Sequence, residues 1–139
     1  MRLIANTNRI MASLMKDSIS RKILQSPHLK FLTISFGDKE ILKYKKVIIE
    51  KAGITEEQFE QVTKIVLKKV EVISDEMVQD KMEEAKNIMD EIDNKDTSFI
   101  AASLAIENDG IWSDDKHFEK QDKVKIWKTK DLLGYIKSQ

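Results

Sequence analysis

The chain has 139 residues and carries 24 Lys and Arg against 24 Asp and Glu, so its formal net charge is zero. This length suits one domain, and the balanced charge argues against a basic nucleic-acid footprint over the whole protein while leaving local patches open. The absence of cysteine excludes a disulfide scaffold, a thiolate zinc site and a cysteine nucleophile, and two histidines are too few for a multi-histidine metal site.

No segment of the sequence predicts a membrane span or a flexible linker. No apolar run reaches about 18 residues, and the N-terminal apolar run stops at the polar Asn6, which argues against a signal peptide. One Pro and four Gly leave no room for a linker. We therefore expect one domain over residues 1–139, in the cytoplasm and without a membrane partner.

The first half of the chain alternates short apolar strands with helices. Ser18 and Thr55 are suitable N-cap residues, and Gly53 is a helix C-terminal signal. In chain order the apolar spacing predicts strands over residues 2–5, 28–35 and 70–73, and helices over residues 8–15, 18–25, 38–51 and 55–69.

The second half contains two different kinds of helix. Ser74 begins a predicted amphipathic helix, and Asp96 opens a helix that is apolar almost all round over residues 99–106, which indicates burial on most sides. The stripe of the amphipathic helix is Val78, Met82, Ala85, Met89 and Ile92. After Gly110 the pattern predicts a strand over 111–113, a turn or short helix over 114–118, a strand over 124–127 and a helix over 129–137.

Short strands separated by helices need crossover connections, and crossovers produce a mostly parallel sheet. The predicted fold class is α/β, an open three-layer sandwich of about five strands. In such sheets ligands bind at the carboxyl ends of the strands.

Several polar residues are predicted to meet at that edge. Segments far apart in the chain bring Asn6, Glu40, Asp96 and the pair Asp114 and Asp115 to one rim. Clustered carboxylates repel unless cations neutralise them, and oxygen-rich clusters suit Mg²⁺ or Mn²⁺. Such a metal activates water and stabilises charge on a phosphoryl group.

Each of these residues also has a simpler interpretation when taken alone. Asp96 fits an ordinary N-cap, Glu40 complements a helix dipole, and Asp114 with Asp115 is a common turn pair. Asn6 is suited to ending a strand or capping the next helix. His117 is expected to be an exposed turn histidine.

Three segments of the sequence resemble motifs of PIN-domain nucleases. Residues 3–8 resemble the family's opening strand, in which a metal-binding Asp is followed by Thr and Asn. Residues 96–105 resemble the family's Asp followed by an alanine-rich buried helix. Residues 111–118 resemble its apolar strand, which is followed by Ser or Thr and then by Asp, Lys and Phe. Glu40 resembles the acidic residue of the third helix.

The resemblance implies a PIN-like domain that hydrolyses RNA with Mg²⁺ or Mn²⁺. Small members resemble the toxin of a VapBC-type toxin–antitoxin pair, which a cognate antitoxin inhibits, and they commonly form homodimers. Carried over to this sequence, the implied catalytic and metal-binding positions are Asn6, Glu40, Asp96 and Asp115, with Asp114 as an auxiliary metal-binding acid. The implied supporting polar residues are Thr7, Asn8 and Ser113, and the candidate RNA-binding residues are Arg9, Lys39 and Lys43.

The sequence departs from the family pattern at Asn6, where the family has aspartate. Asn has nearly the same shape but removes one negative charge from the metal site, so we predict that this chain cleaves poorly. Either the member is naturally weak or inactive, or an original aspartate has been replaced. Two alternatives stay open: a PIN-like binding module without catalysis, and a plain α/β domain whose acids are caps and turns.

Overall fold

The computed structural model describes residues 1–15, 18–34, 42–89 and 94–139. Five strands form one sheet in the order β3-β2-β1-β4-β5, and every pair of neighbours is parallel. This arrangement confirms the predicted α/β fold class. The strands are β1 Arg2–Ala5, β2 Lys30–Ile34, β3 Val70–Ile73, β4 Ile111–Trp112 and β5 Ile126–Trp127.

Helices connect the strands and cover both faces of the sheet. Thr55 caps its helix through a reciprocal pair of hydrogen bonds with Gln58, and Gly53 ends the preceding helix with a left-handed φ of 65°, as the sequence predicts. The described helices are α1 Thr7–Ser13, α2 Ile19–Leu24, α3 Lys45–Ala52, α4 Glu56–Lys68, α5 Asp75–Gln79, α6 Met82–Met89, α7 Asn94–Ala105 and α8 Thr129–Lys137, with a 3₁₀ helix over Lys116–Lys120.

Alternation along β1 divides the core into two layers. Leu3 and Ala5 are buried on one side against residues of α1, α2, α3, α4 and α8, such as Ile10. Ile4 is buried on the other side, where it joins residues of α5, α6 and α7. Successive strand residues point to opposite faces, so a strand covered on both faces reads as a continuous apolar run. The sheet is the middle layer of a three-layer sandwich.

The sequence predicts one continuous helix after Ser74, but the described residues form two helices, α5 and α6. Ile92, the last residue of the predicted stripe, lies outside the described residues. A turn after α5 is closed by the bond from the Lys81 N–H to the Val78 carbonyl (3.0 Å), and α6 follows. Both short helices pack on α7, so Val78 and Met89 still reach the same core layer. Apolar spacing reports which residues face the core, but it does not report whether the helix axis is continuous.

Within the residue ranges given above, no helix combines the length and the apolar character needed to cross a bilayer.

Candidate metal centre

The candidate site begins where β1 and β4 end side by side. Ala5 pairs with Trp112, and the Asn6 N–H then donates to the Trp112 carbonyl (3.2 Å). Asn6 and Ser113 therefore leave the sheet at the same edge, as the sequence predicts for the carboxyl ends of parallel strands.

Asn6 is 4% exposed and caps α1. Its Oδ1 accepts the N–H of Asn8 at 3.0 Å, which satisfies one of the free donors at the helix start. The capping interpretation of Asn6 is thus confirmed. An oxygen in this bond keeps a lone pair for a second partner, but it brings no charge to the edge of the sheet.

Asp96 lies in the first turn of α7. The interpretation of this residue as the N-cap is wrong, since the helix begins two residues earlier, at Asn94. Its side chain is 9% exposed, beside a helix whose following residues are apolar and buried. A carboxylate in the first turn is favoured by the helix dipole, but a charge at this depth also needs a partner.

The loop after β4 presents Asp115. Its N–H donates to the hydroxyl of the buried Ser113 (3.1 Å), which fixes the course of the chain at the strand end. Asp115 is also the N-cap of the 3₁₀ helix, where its Oδ1 accepts the N–H of His117 (3.0 Å). The next residue, Phe118, is fully buried and anchors this short helix to the core.

Asp96, Asp115 and His117 meet at this edge. The His117 Nδ1 lies 3.1 Å from Asp96 Oδ2 and 3.5 Å from Asp115 Oδ1. One ligand atom from each residue lies within 4.8 Å of the others. The side-chain exposure rises from 9% for Asp96 through 30% for Asp115 to 47% for His117, so the group opens from the core toward solvent.

These donors fit a divalent cation. Bonds to Mg²⁺ measure about 2.1 Å, so two ligand atoms on opposite sides of one ion lie about 4.2 Å apart. The three ligand atoms lie within 4.8 Å of one another, close enough for one ion to reach all three. The two carboxylates supply the charge and oxygen donors that such ions take, and the imidazole adds a nitrogen donor of the kind that transition-metal ions bind.

The sequence pattern does not predict the contact between His117 and Asp96. The expected exposure of His117 is confirmed, since nearly half of its side chain is exposed, and the residue lies in the short 3₁₀ helix. The signal that could have revealed the contact is the Asp-x-His spacing of residues 115–117, because a tight turn started by Asp115 returns the third residue to the capping side chain.

Asp114 and its neighbour Asp115 contact different residues. Its carboxylate accepts hydrogen bonds from Arg9 Nη1 (2.8 Å) and from the Thr129 N–H (2.8 Å) and hydroxyl (2.7 Å). Burial by itself raises the pKa of Asp114, but the Thr129 hydrogen bonds and the charges of Arg9 and Lys128 outweigh it, and the net pKa lies below its ordinary value. Asp114 therefore ties the loop after β4 to the starts of α1 and α8.

Asp114→Asn is expected to destabilise the fold at neutral pH by about 1 kcal/mol, a low figure because the side chain is 38% exposed and water screens the pair. A lowered folded-state pKa gives stability above the unfolded value of about 3.9 that is lost as the pH falls through the folded pKa. Urea unfolding at pH 7 and pH 3 should show the difference shrinking at pH 3. Asp122→Asn, at an exposed loop residue, is the control and should change neither value.

The remaining predicted site residues are distributed as follows. Asn8, Arg9, Ser113, Asp114 and Asp115 line a cavity of about 210 Å³ at the same edge. Lys43 is exposed, with its Nζ 5.8 Å from the centre of the Tyr44 ring. Lys39, Glu40 and the side chain of Thr7 lie outside the described residues.

The parallel three-layer α/β sheet with acidic residues at its carboxyl edge agrees with the PIN-like fold that the sequence motifs predict. A family model described as a PIN domain matches residues 4–137. The chain therefore belongs to the PIN domain family, whose members are generally metal-dependent nucleases. A search of curated proteins finds no match.

Proposed function

We propose that this chain is a Mg²⁺- or Mn²⁺-dependent endoribonuclease formed by one PIN-like domain over residues 1–139. The observation that carries the proposal is the convergence of Asp96, Asp115 and His117 beside the end of β4, with ligand atoms within 4.8 Å. A fully structural role for these acids would not require three cation ligands to meet at the edge where open α/β sheets bind ligands.

The side chains of this site have separate roles in the proposal. Asp96 and Asp115 supply carboxylate oxygens, and Ser113 orients Asp115 through its backbone N–H. Asn6 occupies the position of a metal-binding aspartate without its charge, and Glu40 is proposed as a further acid. A bound Mg²⁺ or Mn²⁺ supplies an activated water molecule and stabilises charge on the phosphoryl group.

RNA binding is assigned to Arg9, Lys39 and Lys43. Arg9 lines the cavity beside Asp115 and donates from Nη1 to Asp114, so within the described residues its other guanidinium N–H groups are left for a phosphate. The exposed Lys43 adds positive charge. Thr7 and Asn8 are assigned as supporting polar residues of the site. Asp114 is assigned as the auxiliary acid, and its side chain holds the loop after β4.

A finer assignment rests on the resemblance of the sequence motifs to those of PIN-domain toxins. We assign it the role of the toxin in a VapBC-type pair, acting as a cytoplasmic homodimer under control of a cognate antitoxin. Induced expression of the Asn6→Asp chain in a bacterial host should then arrest growth, and co-expression of an antitoxin from a neighbouring reading frame should relieve the arrest.

The cleavage test compares the chain with its Asn6→Asp form on a broad RNA panel, with Mn²⁺, Mg²⁺ or EDTA. We expect Asn6→Asp to cut about 10–100-fold faster, because an added carboxylate strengthens metal binding and charge stabilisation. EDTA should stop the reaction. Equal, metal-dependent cleavage by both forms would show that Asn6 does not impair the site.

A second candidate function is a PIN-like binding module without catalysis. The observation that favours it is the use of Asn6 as a plain helix cap, with its Oδ1 already bonded to Asn8. If neither form cuts any RNA while filter binding still retains RNA or a protein partner, this second function replaces the nuclease.

A further inference from the structure

Three residues cluster at the candidate site: Asp96, Asp115 and His117. His117 is the one that is not an acid, and it is not among the metal ligands predicted from the sequence. Its ring faces both carboxylates, with the Nδ1 3.1 Å from Asp96 Oδ2 and 3.5 Å from Asp115 Oδ1. We infer that His117 is a direct ligand of the bound cation and makes the site selective for Mn²⁺ over Mg²⁺. This inference rests on the proposed metal-dependent function.

The spacing of the three side chains supports a shared ion. Neighbouring ligands on an octahedral ion with bonds of about 2.1 Å lie about 3.0 Å apart. The two observed separations, 3.1 and 3.5 Å, match that spacing. The turn that Asp115 caps brings the His117 ring near both acids, so one ion at this point could contact all three side chains.

The backbone places the ring at the site before any ion arrives. The His117 N–H donates to Asp115 Oδ1, and Phe118 is fully buried beside it. The bond from the Asp115 N–H to Ser113 ties the same turn to the end of β4. Because the ring is already held at the site, binding a metal would cost little conformational entropy. This low cost favours metal binding.

The type of donor atom explains why the site should prefer Mn²⁺ over Mg²⁺. Mg²⁺ prefers carboxylate, carbonyl and water oxygens, while affinity for nitrogen ligands grows along the first-row series that begins with Mn²⁺. A site made of carboxylates alone would accept both ions. Adding one imidazole to two carboxylates raises affinity for Mn²⁺ and leaves Mg²⁺ nearly unaffected.

The first test measures binding of MnCl₂ and MgCl₂ to the full chain by calorimetry, with His117→Gln and Asp96→Asn as variants. His28→Gln is the matched control, since His28 lies in the exposed turn before β2. We expect His117→Gln to weaken Mn²⁺ binding at least about tenfold while changing Mg²⁺ binding less than about threefold. Melting temperatures in EDTA check that each variant folds.

The second test needs no variant. Electron spin-echo spectra of Mn²⁺ bound to the unaltered chain should show nitrogen modulation that changes when the histidines are labelled with ¹⁵N. A spectrum without nitrogen coupling, or an equal loss of both ions in His117→Gln, would overturn the inference. If Asp96→Asn still abolishes binding in that case, the proposed metal site stands; if it does not, both fall.

Discussion

Mn²⁺ is expected to raise the melting temperature of this chain, and Asp96→Asn is expected to abolish that rise. At ten times its Kd, a ligand that binds only the folded state stabilises it by about 1.4 kcal/mol, which raises the melting temperature of a domain of this size by about 3–5 °C. Asp96 supplies the most buried carboxylate of the group, and its amide counterpart has nearly the same shape but no charge. The measurement is thermal unfolding with and without MnCl₂.

Asp96→Asn should also lower the rate of RNA cleavage, and this effect should be larger than its effect on metal-induced stabilisation. In the Asn6→Asp chain, Asp96→Asn should lower RNA cleavage by about 1,000-fold, equivalent to ~4 kcal/mol of charge stabilisation. Asp80→Asn is the matched control, because Asp80 is an exposed acid at the end of α5. Retention of the Mn²⁺ shift and of cleavage in Asp96→Asn would show that the carboxylate is only a structural feature of the first turn of α7.

Gly110→Ala is expected to be strongly destabilising, although the residue lies outside the site. Gly110 has φ of 134°, and a Cβ there would lie 2.5 Å from the Lys125 carbonyl oxygen and 2.9 Å from Trp127 Cδ1. That carbonyl accepts the Ile111 N–H (2.9 Å) and cannot retreat without weakening the pairing of β4 with β5. Backbone strain and overlap together should cost about 3–5 kcal/mol.

Urea unfolding followed by circular dichroism checks this expectation. With a typical slope, the loss moves the midpoint down by about 2 M, a large share of the ~5–15 kcal/mol of a native domain. Gly134→Ala in α8 is the control, because a Cβ added at Gly134 would have no atom within 4 Å; it should stabilise by about 0.5–1 kcal/mol. An unchanged midpoint for Gly110→Ala would mean that β5 can move aside at little cost.

Local signals in the sequence predict the elements of the fold well. The Thr55 to Gln58 pair begins α4 with a capping box, and Gly53 ends α3. The five predicted apolar segments form the five strands of the sheet. Three of these strands, β2, β4 and β5, are shorter than predicted. These features depend on neighbours within four residues, so the sequence alone contains the information.

The sequence predicts the site less completely, because the contacts of the site are not local. Residue chemistry identifies Asp96 and Asp115, but the role of His117 depends on a residue 21 positions away. Asp114 and Asp115 are adjacent and chemically identical in the sequence, yet Asp114 turns to Arg9 and Thr129. Which of two neighbouring acids faces the start of α7 depends on the conformation of the loop after β4.

The sequence by itself determined the α/β class, the order of strands and helices along the chain, and the acids available for a metal site, since apolar spacing and residue chemistry are properties of short segments. The tertiary structure decided the order of strands across the sheet, the break between α5 and α6, and the meeting of His117 with Asp96. Those outcomes depend on how distant segments pack. Packing energy is shared among many contacts, and no short segment of sequence contains it.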